Sequence, residues 1–379
     1  MHVPNVFPRV FLWTDSDRFA GTERHCLELA GGLRSLGVHV HLGCRPESPL
    51  FHKAMDAQIR VVGMDARGAA LGALSRLSGM LRDGASDLVH THNGRCAALA
   101  RVARLSAGRG TLVATQHFIA PARTNRRGLL AGLSRSIHGW IDHGISRWIS
   151  ISNAVGAAMI SRGDTAVGKI RLVHNGLGCG GALEPDRMAA RSALGLPSDV
   201  PILVCAARLE REKGHSVLLN AIRMLSREGV NFIVVIAGEG AEEGRIRERI
   251  SWLGISGWAH MVGHQPELAV WLRAADLLVL PSPAEPFGLV VLEAMCRGVP
   301  VVAADAGGPR EILADGSGVL FVPGDARDLG WKLLELLSAP ERRLRLARAG
   351  RARWEAGFNL DRMVRATLQV YREAISDDI

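Results

Sequence analysis

Two carboxylates and two basic residues carry the chemistry that is easiest to read in this 379-residue sequence. Glu285 and Glu293 have seven residues between them in E-P-F-G-L-V-V-L-E, within residues 281–300. Arg208 and Lys213 lie in R-L-E-R-E-K-G, residues 208–214. A guanidinium makes directional bonds and an ammonium acts as a point charge, so such a pair across one loop can converge on a diphosphate. Carboxylates accept hydrogen bonds from sugar or ribose hydroxyls. The ordinary alternative for all four is a solvated surface loop.

The elements around these residues give them positions. Residues 276–280 are short, apolar and partly β-branched, which predicts a buried strand. Pro281, Pro283 and Pro286 then allow neither strand nor helix to continue. A helical pattern follows from Phe287, with Leu289, Leu292, Ala294 and Met295 on one face, Gly298 as its stop and Pro300 beyond. Glu285 therefore falls on a loop between the carboxyl end of a strand and the mouth of a helix, and Glu293 about two turns inside it. The helix start offers N–H groups of Phe287, Gly288 and Leu289 to an anion, and Gly288 permits close approach. A strand at 201–206 and a helix at 216–226 bracket Arg208 and Lys213. The strand at 231–237 runs into Gly238, Glu239 and Gly240. The following G-E-G-A-E-E-G is not a dinucleotide fingerprint, because Glu243 stands where the third glycine would be.

The first half repeats the strand–turn–helix–strand pattern. A strand at 9–13, the turn A-G-T-E-R-H at 20–25, a helix at 22–36 and a strand at 38–42 form one βαβ unit. Gly21 is the close-approach position of that turn, or simply a structural glycine. Strands at 87–92 and 111–117 end in His92 and His117, at the carboxyl ends where α/β proteins build sites. Both histidines fit substrate contact or plain structural hydrogen bonding. Residues 123–141 form a basic amphipathic segment: Leu129, Leu130, Leu133, Ile137, Trp140 and Ile141 at helical period, with Arg123, Arg126, Arg127 and Arg135. It fits an interfacial helix on anionic lipid or a helix packed on the sheet.

Taken together, the two-glutamate motif, the R-x-x-x-x-K-G loop, the A-G-T-E-R-H turn and the D-A-G-G-P-R-E segment at 305–311 resemble retaining glycosyltransferases of family 4, across nearly the whole chain. Two departures stand out: Ala20 replaces the first glycine of the family's G-G-x-E-R loop, and His174 replaces the proline of its P-N-G strand end. The resemblance implies an α/β protein of GT-B fold, two Rossmann-like domains facing across a cleft. It puts the acceptor-side domain at 1–178, with a helix at 360–379 packing back on it, and the nucleotide-sugar domain at 179–359. It implies catalytic roles for Glu285, Lys213, Arg208 and His117. Donor contacts would come from Gly21, Arg208, Lys213, Gly238, Glu239, Gly240, Phe287, Gly288, Leu289 and Glu293. No Asp-x-Asp motif stands beside the phosphate residues, so no metal and no cofactor beyond the nucleotide-sugar co-substrate is expected. The expected reaction is metal-independent transfer of a sugar from a nucleoside diphosphate, UDP favoured over GDP, to a glycan or lipid-linked saccharide of bacterial surface polysaccharide. A nucleotide-sugar 2-epimerase of the same fold and a non-catalytic nucleotide-sugar-binding regulator are the rival readings.

Composition bounds these expectations. The formal charge is +9, and residues 1–190 hold 23 Lys/Arg against 13 Asp/Glu, so the first half favours an anionic substrate or lipid face. No nucleic-acid module accompanies that charge. Six scattered cysteines without a C-x-x-C pair suggest neither zinc nor a disulfide framework, and no secretory or membrane-spanning stretch is read. A cytoplasmic protein, working at the inner membrane face in the interfacial reading of 123–141, is the expectation.

Overall fold

The computed structural model describes residues 7–120, 128–179 and 186–378, with the backbone alone at 128–131. It divides into two compact units, one of residues 1–176 with 360–379 and one of residues 177–359.

The first unit alternates strand and helix: β1 (Val10–Trp13), α1 (Gly21–Ser35), β2 (Val40–Cys44), α2 (Pro49–Asp56), β3 (Arg60–Gly63), α3 (Ala70–Arg82), β4 (Leu88–Thr91), α4 (Gly94–Ala107), β5 (Thr111–Gln116), α5 (Gly128–Gly144), β6 (Arg147–Ser150), α6 (Asn153–Ser161) and β7 (Ile170–Leu172). The strands form one parallel sheet in the order β3-β2-β1-β4-β5-β6-β7. Central strands such as β1 and β4 are buried along their whole length, as helices on both faces of a parallel sheet require.

The second unit has the same logic: α7 (Arg187–Ala193), β8 (Ile202–Ala206), α8 (His215–Arg227), β9 (Ile233–Ala237), α9 (Glu243–Trp252), β10 (Ala259–Gly263), α10 (Leu268–Ala274), β11 (Leu277–Leu280), α11 (Leu289–Cys296), β12 (Val301–Ala304), α12 (Gly307–Leu313), β13 (Val319–Phe321), α13 (Ala326–Leu337) and α14 (Pro340–Gly357). Its parallel sheet runs β10-β9-β8-β11-β12-β13. Strand order reverses between β1 and β4 in one sheet and between β8 and β11 in the other. At such points the connections run to opposite faces of the sheet, and α/β proteins build ligand sites there at the carboxyl ends of the strands.

The last helix, α15 (Leu360–Asp377), belongs to the first unit. Met363, Val364, Thr367, Leu368, Tyr371 and Ala374 give it a continuous buried face against α1 and the sheet. The Tyr371 hydroxyl meets His90 Nδ1 at 2.7 Å, and His90 Nε2 meets Thr115 Oγ1 at 2.7 Å. A strand, its neighbour and the C-terminal helix are thus joined through one buried imidazole.

Several expected elements change on inspection. The helix expected from Phe287 begins at Leu289, because Gly288 takes a left-handed φ of 88° and turns the chain in. The D-A-G-G-P-R-E segment at 305–311 runs into α12, with Pro309 in its first turn where no N–H is needed. β7 stops at Leu172, two residues before His174, which stands where the family's strand-end proline would be. The basic segment forms α5, while Arg123, Arg126 and Arg127 lie outside the described residues. Along α5, Leu133, Ile137 and Trp140 are 59%, 45% and 40% exposed and Ile141 is buried, so this apolar stripe is only partly packed.

Replacing Tyr371 with Phe keeps the packing but strips the buried His90 Nδ1 of its partner. The expected cost is about 1–3 kcal/mol, read as a lower urea midpoint with an unchanged slope.

Candidate active site

In the second unit, the loops leaving β8 and β11 meet at the reversal of strand order. The β8 loop is stitched to its other neighbour first: the Leu209 N–H donates to the Glu239 carbonyl at 2.8 Å, and the Glu242 N–H to the Leu209 carbonyl at 2.9 Å. It then makes a short turn over Arg211–Lys213 and arrives at Gly214. Gly214 has φ 71°, and a Cβ there would sit 2.2 Å from the Pro281 carbonyl oxygen. Only glycine lets the two loops touch at this point. The contact brings Lys213 Nζ to Glu285 Oε2 at 2.7 Å, with side chains only 15% and 12% exposed.

The Glu285 backbone is held from its other side as well. Gly307, at the start of α12, has φ 56°, and a Cβ there would fall 1.9 Å from the Glu285 carbonyl oxygen. The Gly308 N–H donates to that oxygen at 3.0 Å. Glu285 is therefore fixed between two glycine contacts and one ion pair.

The other expected residues have different environments. Arg208 is exposed and pairs with Glu212 at 3.0 Å, an arrangement that ligand phosphate can replace at little cost. Phe287 buries its ring near Phe358, at 6.3 Å between centroids, so its side chain belongs to the core and only its backbone faces a ligand role. Gly288 caps α11 and Leu289 opens it. Glu293 is buried on α11, 7% exposed. The Gly238 N–H is used by the Gly263 carbonyl at 2.8 Å, while Glu239 is exposed. Two polar residues escaped the sequence reading. His215 has both ring nitrogens buried without a hydrogen bond, and so has the Ser282 hydroxyl. Burial, with Lys213 adding to it, pushes His215 down to about 4, so it is neutral near pH 7. Ser282 follows the end of β11 by two residues, the one signal that could have found it, whereas His215 lies nine residues past β8 as the first residue of α8.

In the first unit, Gly21 opens α1, and the Ala20 N–H donates to Glu23 Oε2 at 3.0 Å. Glu23 thus closes its own helix end, and burial raises its pKa. His117 is buried, with Nε2 3.1 Å from His92 Nδ1. Burial lowers both imidazoles well below their ordinary value. At the end of β1, the Asp15 side chain binds Arg95 at 2.8 Å and Arg67 at 3.3 Å, while Asp17 binds Arg67 at 2.8 Å and also pairs with Arg45. Three guanidinium groups meet Asp15 and Asp17 there, and the Asp65 carboxylate also feels Arg45 and Arg67, a charge-balanced network that the sequence reading did not single out.

Comparison with known proteins follows the same division. Residues 19–178 match the family model described as Glycosyltransferase Family 4, and residues 186–353 match Glycosyl transferases group 1. A D-inositol 3-phosphate glycosyltransferase of Catenulispora acidiphila is 32% identical over 94% of this chain and 91% of its own length. The chain belongs to glycosyltransferase family 4. Among solved structures, Anabaena HepE in complex with UDP and glucose aligns with a TM-score of 0.82 at 19% identity, covering 96% of this chain and 99% of that one. A Rickettsia africae glycosyltransferase aligns with a TM-score of 0.83 at 20% identity, covering 97% and 98%. This family 4 glycosyltransferase has the GT-B fold, with two Rossmann-like domains.

Gly307→Ala should be far more damaging than Gly316→Ala. Both positions have positive φ, 56° and 80°, but only Gly307 meets backbone where Cβ would go. The expected losses are about 3 kcal/mol or more against about 1 kcal/mol. Equal losses by chemical denaturation would remove the clamp on Glu285.

Proposed function

We propose that this glycosyltransferase moves a sugar from a UDP-sugar to a hydroxyl of an anionic acceptor, with retention of configuration and without a divalent ion on the donor phosphates. The observation that carries this reading is the half-buried Lys213–Glu285 pair at the reversal of strand order. Breaking the donor's glycosidic bond builds negative charge on the leaving β-phosphate oxygen. Lys213 keeps further N–H donors beside its bond to Glu285, and Arg208 swings from Glu212 onto the same diphosphate. The amino end of α11 adds its partial positive charge. Such preorganised charge is worth most where water is excluded.

Glu285 binds donor-sugar hydroxyls and stabilises the positive charge that develops at the anomeric carbon. It is not assigned as a nucleophile. Family resemblance implies front-face attack: the acceptor oxygen bonds to the anomeric carbon, the bond to the diphosphate breaks, and the diphosphate takes the acceptor proton. Glu293 accepts from ribose hydroxyls, and His117 hydrogen-bonds the sugar.

The D-inositol 3-phosphate glycosyltransferase among its relatives favours a phosphorylated cyclitol as acceptor. The half-exposed guanidinium groups of Arg67 and Arg95 near β1, though balanced by Asp15, Asp17 and Asp65, offer donors to such an anionic group. A glycan or lipid-linked saccharide is the second reading, favoured by the exposed Leu133, Ile137 and Trp140 stripe on α5, which suits an anionic membrane face at the cytoplasmic side. Product analysis with D-inositol 3-phosphate and with lipid-linked saccharide in anionic vesicles separates the two. Free epimer without acceptor would indicate a 2-epimerase, and donor binding without turnover a regulator.

Lys213→Ala should lower kcat/KM by about 10²–10³, the effect of losing one preorganised donor at the developing charge. Glu212→Ala should change it by no more than about fivefold, because the exposed Arg208–Glu212 pair is worth under about 1 kcal/mol. Wild-type kinetics in Lys213→Ala would overturn the phosphate assignment.

A further inference from the structure

His25, His92 and His117 come from three different segments of the first unit: the first turn of α1 and the ends of β4 and β5. Each offers one ring nitrogen such that all three lie within 4.8 Å of one another. Their ring centroids form a nearly equilateral triangle, with sides of 5.3, 5.0 and 5.4 Å. Three imidazoles on one tetrahedral ion, bound at about 2.0–2.1 Å, would place their centroids roughly 5 Å apart. We propose that His25, His92 and His117 form a binding site for a first-row transition-metal dication of the Zn²⁺ class, with one coordination position left open.

The hydrogen bonding of the cluster agrees with this role. Both ring nitrogens of His25 and Nε2 of His92 are buried and make no hydrogen bond of ordinary geometry, the Asn175 side chain being the polar group that faces His25. An orphaned buried imidazole nitrogen costs stability, and an ion on one His25 nitrogen would satisfy that nitrogen, while His92 would ligate through Nδ1 and keep Nε2 outside the coordination. The one bond inside the cluster, His92 Nδ1 to His117 Nε2 at 3.1 Å, is close to the edge of a tetrahedron around such an ion, about 3.3 Å for the same bond length. His90 lies beside His92, at 4.3 Å between centroids, but spends both nitrogens on Tyr371 and Thr115. It supports the cluster without entering the ligand set. Three nitrogen ligands suit zinc, and its open position takes water or an anionic oxygen.

The site is distinct from the donor phosphates and does not depend on the transfer reaction proposed above; only His117 is common to both. The test uses the full chain, purified without a histidine tag and treated with chelator, then titrated with Co²⁺. A saturable visible d–d spectrum of tetrahedral intensity, one ion per chain, displaced by Zn²⁺, is expected. His25→Gln and His92→Gln, checked for folding by circular dichroism, should each weaken Co²⁺ binding by on the order of a hundredfold. His52→Gln, at an exposed position, should leave it unchanged. X-ray absorption of the zinc-loaded wild type, which needs no variant, should show three imidazole neighbours. Absence of the tetrahedral spectrum in the wild type, fewer than three imidazoles, or unchanged binding in a folded His25→Gln chain would overturn the proposal.

Discussion

The contact between Gly214 and the Pro281 carbonyl is the constraint on which the candidate active site depends. A lysine and a glutamate separated by 72 positions in sequence share a hydrogen bond only because two strand-end loops touch backbone to backbone. Any side chain at 214 would force them apart. The ion pair is then largely withdrawn from water, where its partners cost desolvation and return it only while both are present. Such a pair is poor as a device for stability and well suited to a site. A ligand phosphate and a ligand hydroxyl can take over the two charges without either being left alone.

The same principle organises both units. Each sheet reverses its strand order once, and each reversal gathers functional side-chain types at the carboxyl ends of the strands. In the second unit these are Lys213 and Glu285. In the first they are the histidines after β4 and β5 and the arginines around Asp15 and Asp17. The two units share architecture but differ in chemistry: an ion pair fixed by glycine contacts in one, and a buried imidazole cluster and an arginine–aspartate network in the other.

Much of this was legible from the sequence, for identifiable reasons. Strands such as β8 and β11 are unbroken apolar runs, and the Lys213 and Glu285 loops carry motif spacing that few other folds require. The GT-B fold followed from those motifs. What stayed hidden depended on contact across the chain. α2 was passed over although Ser48 caps it, accepting from the Phe51 N–H at 3.3 Å, and Pro49 opens it, because its eight residues are too few for periodicity to stand out. Phe287 reads as a residue of a ligand-facing helix mouth, yet its ring is claimed by Phe358, seventy-one positions away. His25 stands in plain view in A-G-T-E-R-H, but only folding puts it 5.0 Å from His117. Gly214 and Gly307 read as ordinary motif glycines, and their steric role appears only when the opposing carbonyls are in place.

In the proposed mechanism Lys213 serves the donor's diphosphate while Glu285 serves its sugar. Calorimetric binding of UDP and of a UDP-hexose to wild type and Glu285→Gln separates these roles most directly. The account predicts that Glu285→Gln binds UDP as tightly as wild type or more tightly, because Lys213 is released to the phosphate, yet loses the wild-type preference for the sugar-bearing donor. A variant that weakens UDP and UDP-hexose equally would contradict it, and would reduce the pair to a structural brace.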